Sequence, residues 1–443
     1  MDITSASHFL SSNRLTIKGI IVACLILVML IPALFIMNLV NERADRQETV
    51  AKEVSAKWAT QQTVTGPILV IPYRESVQSE DGKTTVYKKY AYFLPDQLKI
   101  NGVLQPEIRH RSIYNIVVYR ADMQIEGYFG PLQTEGLHIA PGDLNLQEAF
   151  VCIGLNDFRG IEDQLSLLWN DSSHIFNAGM PDDRIIKNGL HTPVASDLTG
   201  SNTFKLQLHL RGSENLSFTP VGKTTNVNIN STWVNPSFDG SFLPVTTPQV
   251  TENGFNAEWK VQHLNRNYPQ SWKDSNYDIA DSRFGITLLQ PVDSYSKTMR
   301  SVKYAILFIA LTFGLYFFIE ILQKRTVHPI QYVLVGLALS IFYTLLLSIS
   351  EYLRFNIAYS IAAAATVALI TLYTKSVFYK WKIAMLFGIM LTTLYTFIFI
   401  LLQLQDGALL FGSIGLFIVL AAVMYYSRKI NWYGQVNQPA SVN

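Results

Sequence analysis

The sequence predicts an α+β membrane protein: six transmembrane helices, one N-terminal and five C-terminal, with a large, mainly antiparallel β domain between the first and the second. Three observations predict it. Residues 302–321, 330–349, 355–374, 383–402 and 408–426 are apolar runs, each about 20 residues long, the length at which a helix crosses a hydrocarbon core of about 30 Å. A further run, 15–40, lies near the N-terminus. Between these regions, residues 41–300 carry 24 Lys/Arg against 29 Asp/Glu and read as a soluble, mildly acidic globule.

The elements follow in chain order. Residues 1–14 form a short polar, cytoplasmic N-terminus. Arg14 and Lys18 flank the first span, 15–40, whose basic N-terminal side faces the cytoplasm. A cleavable signal peptide is the rival reading, but the apolar core is long and no A-x-A pattern follows it. Pro32 predicts a kink near its outer end. Residues 41–62 read as a helix that continues the span as a stalk, with Val50, Val54 and Trp58 at i, i+4 and i+8, and Gly66-Pro67 is expected to end it.

Short β-type runs follow at 68–73, 85–93, 113–125, 149–153, 204–210, 226–233, 255–261 and 284–289. Lys205-Leu206-Gln207-Leu208 and Asn226-Val227-Asn228-Ile229 alternate polar and apolar, as half-buried strands do. An antiparallel sandwich of two sub-sheets is expected, with 161–169 as one or two helical turns. This gives a periplasmic β-rich domain at 41–300, a five-helix transmembrane domain at 301–427 and a cytoplasmic tail at 428–443.

Charge sets the orientation. Joint 323–329 carries Lys324 and Arg325, joint 375–382 carries Lys375, Lys380 and Lys382, and the tail opens with Arg428 and Lys429. The alternate joints are neutral (351–354) or hold only Asp406 (403–407). Basic residues gather on the cytoplasmic side, so both termini are inside and the globule is outside. Arg300 and Lys303 run against this trend. Tyr304, Tyr332, Tyr379, Trp381, Tyr425 and Trp432 fall near span ends, where amphipathic rings sit.

Overall charge is near balance, Lys+Arg 35 against Asp+Glu 33, which implies no nucleic-acid partner. Cys24 and Cys152 make no useful staple or metal spacing. Gly222-Lys223-Thr224 lacks the first glycine of a phosphate loop, since Ser217 stands there. Asp274-x-Asn276-x-Asp278 lacks the glycine and bidentate glutamate of a calcium loop. Asp157 and Arg159, near Glu162-Asp163, read as a pair that braces a loop. His110, His138, His174, His191, His209 and His263 are scattered, and no G-x-S-x-G is present. No cofactor and no catalytic residue is assigned.

Within the spans, Glu320 lies at a helix end four residues before Lys324, and His328-Pro329 starts the next helix; Glu320, Lys324 and His328 are the candidate membrane-interface residues. Thr312, Tyr316, Tyr343, Thr344 and Ser348 are expected to bond helix to helix.

A set of motifs adds to this reading: Ile31-Pro32, Glu42-Arg43-Ala44-Asp45, Gly66-Pro67-Ile68, Arg159-Gly160-Ile161, Pro236-Ser237-Phe238-x-Gly240-x-Phe242-Leu243-Pro244, Gly254-Phe255-x-Ala257-x-Trp259, Lys303-Tyr304-Ala305-Ile306-Leu307, His328-Pro329-x-Gln331-Tyr332 and Asn431-Trp432-Tyr433. In these the chain resembles the CreD family of bacterial inner-membrane proteins over nearly its whole length, departing in loop lengths between Leu132 and Gly200. The resemblance implies a place in a regulon run by a two-component sensor, with roles in envelope integrity, colicin tolerance and, in some relatives, responses to β-lactams. It implies no reaction. Trp233, Phe238, Phe242, Pro244, Phe255 and Trp259 form either a buried corner or a docking surface.

The expected function is that of a non-enzymatic envelope protein in the inner membrane. Its partners would be the bilayer and a periplasmic protein or cell-wall component. A small-molecule transporter or permease component and a periplasmic hydrolase are the alternatives. The spans hold no mid-membrane charge and no visible half-repeat, which speaks against transport.

Overall fold

The structure is a computed structural model that describes residues 14–78, 84–194, 200–273, 277–289, 294–323, 325–404 and 407–428. The chain divides into two compact units, Met1–Gln47 with Val292–Asn443, and Glu48–Pro291. The division differs from the expected 41–300 at both ends. The stalk residues before Glu48 and the amphipathic helix Ser294–Lys303 count with the helical unit, the latter burying Tyr295, Thr298, Ser301 and Val302.

The helical unit contains the helices Arg14–Val28, Ser294–Lys303, Ala305–Gln323, Pro329–Ser350, Phe355–Phe378, Trp381–Gln403 and Ala408–Ser427, and the first part of Leu30–Trp58. Among the described residues five helices are long and apolar enough to cross a membrane: Thr16–Trp58, Ala305–Gln323, Pro329–Ser350, Phe355–Phe378 and Trp381–Gln403. Ala408–Ser427 is a further apolar helix in which no described residue is buried; its Gly415 backs onto the Phe397 ring.

The N-terminal rod breaks its helical pattern at Met29, three residues before Pro32. Proline has no N–H to give the carbonyl four residues back, which is Val28, so the ladder opens there. The helices pack on aromatic rings: Phe308 on Tyr395 at 4.5 Å, Phe342 on Tyr395 at 4.7 Å and Tyr316 on Phe387 at 4.4 Å between centroids. Of the expected interhelical hydroxyls, only Tyr316 bonds across, to Thr374 at 2.5 Å. Thr312 and Thr344 turn back to Phe308 O and Ile341 O of their own helices, as helical hydroxyls readily do. Ser348 is exposed, and the Tyr343 hydroxyl is buried without a partner.

In the other unit, two sheets close on one core. The first sheet runs Pro236–Gly240, Phe284–Leu288, Asn215–Thr219, Gln62–Gln78, Phe150–Gly154, Gly189–Pro193, Asn177–Ala178, with Thr84–Phe93 and then Ser271–Lys273 added on the far half of Gln62–Gln78. The second runs Gln249–Thr251, Gly254–Gln262, Thr224–Ser231, Gln97–Arg111, Tyr114–Phe129, Asn202–Ser213, Ser166–Trp169, Ser172–Ile175. Val64, Ile68 and Val70 of the first sheet and Ile100, Ile125, Leu208, Ile229 and Trp259 of the second share a single cluster. Pairing is antiparallel except for Gln62–Thr65 beside Leu216–Thr219 and Gln97–Leu104 beside Thr224–Ser231.

Three expectations are corrected. The helix ends at Trp58, and Gly66-Pro67 lies inside the strand Gln62–Gln78. Gly66 has φ +120°, and a Cβ there would lie 2.9 Å from the Cys152 carbonyl, where the ladder shifts register between Thr65 and Ile68. Residues 161–169 end in a strand, Ser166–Trp169, whose Leu167 and Trp169 point inward. The expected run at 113–125 is half of a long hairpin, Gln97–Arg111 with Tyr114–Phe129. Gly102 and Pro106 had hidden its first strand by interrupting the alternation.

Candidate functional site

Two polar nodes and one sheet corner hold the residues singled out by sequence. The first node is in the helical unit. Glu320, 6% exposed near the end of Ala305–Gln323, pairs with Lys18 of Arg14–Val28. Its Oε1 also accepts from the Val327 backbone N–H at 2.8 Å and its Oε2 from the Tyr332 hydroxyl at 3.0 Å. Lys18 donates in addition to Val327 O at 3.1 Å.

The carboxylate is therefore satisfied by three elements, which an ion out of water requires. The expected pairing with Lys324 lies outside the described residues. The partner the structure shows lies 302 positions away and also closes the Val327 turn. His328 caps Pro329–Ser350: its Nδ1 accepts from Ile330 N at 3.2 Å, and Gln331 Oε1 accepts from His328 N at 3.0 Å.

Nearby joints carry their charges on ordinary structural work. Arg300 donates to Leu401 O at 3.3 Å and Leu404 O at 3.0 Å, so it caps the C-terminal end of Trp381–Gln403. Arg43 and Tyr295 converge on Glu351 at 3.8 and 3.3 Å.

The second node closes the end of Leu30–Trp58. Asp157 accepts from Thr60 N at 3.0 Å, from the Thr60 hydroxyl at 3.2 Å, and from Arg159 Nε and Nη2, both at 2.9 Å. Arg159 also donates to Ala56 O, one of the carbonyls a helix end leaves open. Gln62 Nε2 ties the loop down through Asp157 O at 2.7 Å and Arg211 O at 3.2 Å. Burial pushes the Asp157 carboxyl up, but the Arg159 and Thr60 hydrogen bonds outweigh it and hold the group at about 2. The Trp58 ring is faced by the guanidinium groups of Arg109, Arg211 and Arg120 at 4.7, 5.0 and 5.5 Å.

The sheet corner holds the six candidate docking residues. Trp259 is fully enclosed and Phe255 nearly so, at 0% and 4% exposure, which withdraws both from any docking surface. Phe238 meets Phe255 at 5.6 Å and Trp259 at 5.8 Å, and Phe242 meets Phe284 at 6.0 Å. Trp259 Nε1 donates to Phe242 O at 3.2 Å. Trp233, Phe238, Phe242 and Pro244 are half-buried and keep an outer edge.

The remaining motifs disperse. Lys223 sits in a turn 3.9 Å from Asp96. Asp274 and Asn276 lie outside the described residues, and Asp278 accepts from Ala280 N. Trp432 and the Asn431-Trp432-Tyr433 motif also lie outside. His209 pairs with Asp122 at 2.8 Å, His110 with Asn115 at 2.6 Å and His191 with Gly179 O at 2.8 Å. Among the described residues, no three His, Cys, Asp or Glu side chains come together as a metal site. Two residues carry structure that the sequence reading missed. Sequence marks Lys18 only as a flank, although a lone cation in one apolar run and a lone acid in another is the available signal. Arg266, buried and donating to Tyr268 O at 2.7 Å, gave none.

The chain is 32% identical over 415 residues to the inner membrane protein CreD of Escherichia coli (strain K12), covering 92% of this chain and 91% of the relative. Among solved structures, an M1 zinc metallopeptidase from Deinococcus radiodurans aligns with 8% identity over 44% of this chain and 41% of its own. Its TM-score of 0.19 carries no argument. The family model described as inner membrane protein CreD matches residues 14–433, and with this breadth of match the chain belongs to the CreD family of inner membrane proteins.

Proposed function

We propose that this multi-pass inner-membrane protein works by binding rather than by catalysis, with the two-sheet domain on the periplasmic side as a docking module. In this reading six helices cross the bilayer, both termini are cytoplasmic, and docking serves envelope integrity and colicin tolerance. One observation carries the topology: basic joints alternate with neutral ones along the helical unit. Of the two contrary cations, Arg300 and Lys303, the first has a separate task as a helix cap.

The non-catalytic reading is supported by the use of the reactive side chains. Asp157 secures a helix end, Glu320 holds three elements together, and Arg266 fixes a loop. Reporter fusions test the topology. Alkaline phosphatase joined at Gly200 should be active, and a fluorescent protein joined at Arg325 should glow; a phosphatase at Gly200 that stays inactive sinks the reading. Photo-crosslinkers placed at Leu243 and Val245, both exposed beside the sheet corner, test docking in cells. An envelope component captured from those sites is the expected result, and a clean blank overturns it.

A further inference from the structure

The outer face of the eight-stranded sheet carries a row of amides that core packing does not explain. Register places Asn228 beside Asn101, Asn101 beside Gln124, and Gln124 beside Gln207. Glu258 closes the row next to Asn228. These four amides alternate along their strands with Ile100, Ile125, Leu206, Leu208, Val227 and Ile229, which face the core, so the row faces away from it. Four strands at a spacing of about 4.8 Å make the row about 14 Å long.

A shallow cavity of about 300 Å³ opens over it, bounded on one side by Asn230, Asp122 and His209. Exposed sheet faces are ordinarily polar, but mostly with Thr, Lys and Glu. Here the four central side chains are uncharged, Glu258 at one end is an acid, and two of the flanking charges are paired. Lys99 pairs with Glu126 at 3.7 Å and His209 with Asp122 at 2.8 Å.

Two further features point to a ligand. The Asn228 Oδ1 is screened from solvent and has no hydrogen-bond partner among the described residues. Its amide borders the cavity, and rotation about the soft terminal torsion brings that oxygen to a donor placed there. The Asn101 and Gln207 amides border the same cavity, so a donor or acceptor placed there meets several amides at once.

We propose that this face binds a neutral oligosaccharide bearing hydroxyl and acetamido groups, laid along the amide row. A primary amide carries two donors and an acceptor in one plane, which matches adjacent sugar hydroxyls and the acetamido group; Gln124 spends one donor on Glu126 at 2.7 Å and keeps the rest. The balanced charge disfavours a polyanion, since no unpaired cation cluster faces the cavity. A flat face of side chains gives an added peptide strand no backbone edge to pair with. The inference deepens the docking reading above and names its ligand class.

The test uses the full-length protein in nanodiscs, titrated by calorimetry with N,N′,N″,N‴-tetraacetylchitotetraose. Saturable binding is expected. Asn101→Ala, Gln124→Ala and Asn228→Ala should each weaken it about tenfold, with little change in unfolding temperature, since all three side chains face away from the core. Lys88→Ala, on the other sheet, should leave it as it was. No binding, or binding that the triple variant keeps, overturns the proposal. Because the measurement is made on purified protein, its failure is distinct from a blank in the cellular cross-linking.

Discussion

Glu320 in the helical unit and Asp157 in the sheet unit solve the same problem with different reach. Each is a carboxylate nearly out of water, and each accepts from a cation, a backbone N–H and a hydroxyl. Asp157 finds its cation two residues away, and its backbone donor is the turn it braces. Glu320 finds its cation 302 residues away, on the N-terminal helix. A local pair fastens a turn, whereas a distant pair fastens the order of helices. The first survives in any context that keeps the loop. The second exists only when the first helix and the fifth-last have met.

The largest expected effect comes from removing the distant acid. Glu320→Ala strands Lys18, the Val327 N–H and the Tyr332 hydroxyl together and should cost about 3 kcal/mol, the lower end for a broken buried pair because Lys18 keeps some exposure. The double variant Lys18→Met, Glu320→Leu should recover most of that loss in thermal unfolding of nanodisc samples. A double variant as unstable as the single one breaks the comparison, because the pair would then matter for more than neutralisation.

Next is Asp157→Ala, which orphans the Thr60 N–H and frees Arg159, at about 2 kcal/mol. Its pH signature has a fixed sign. The carboxyl sits at about 2 in the folded protein, below its usual 3.8, so the stabilisation is complete above about pH 4. It drains away as pH falls through 2, to a total near 2 kcal/mol. Acid titration of the parent and of Asp157→Asn should therefore converge at low pH; parallel curves refute the assignment.

A smaller change sharpens the local half of the contrast. Arg159→Met removes one cation and the contact to Ala56 O, and fraying of the last turn before Trp58 should appear in hydrogen exchange at a cost of about 1 kcal/mol. Smallest is Arg300→Met, about 0.5 kcal/mol from a lost C-terminal cap, with the topology reporters unchanged. A reporter at Gly200 that reverses in Arg300→Met shows instead that this charge sets orientation.

How legible each feature was follows from its range. The apolar runs were readable because lipid satisfies no backbone group, so length and composition alone dictate a helix. Strand 204–210 was readable because each residue commits to one face. Strand 97–111 was not, because Gly102 and Pro106 break the alternation while the neighbouring strands still hold the ladder. The Asp157–Arg159 brace was readable from spacing, and the Lys18–Glu320 node was only half visible. Trp259 and Phe255 look alike as core or surface in sequence, because an aromatic suits both and only the position of the first sheet, whose Phe238 and Phe284 pack on them, decides.

By itself the sequence determined the solvent of each segment: which stretches need lipid, which need water and which end of each helix draws positive charge. These follow from transfer free energies summed over neighbours in the chain. Tertiary structure alone decided which partner Glu320 takes, which strands lie side by side in each sheet, and that Asn101, Gln124, Gln207 and Asn228 stand in one line. Those depend on strand register and helix packing, where residues far apart in the chain become neighbours, and no local energy records that meeting.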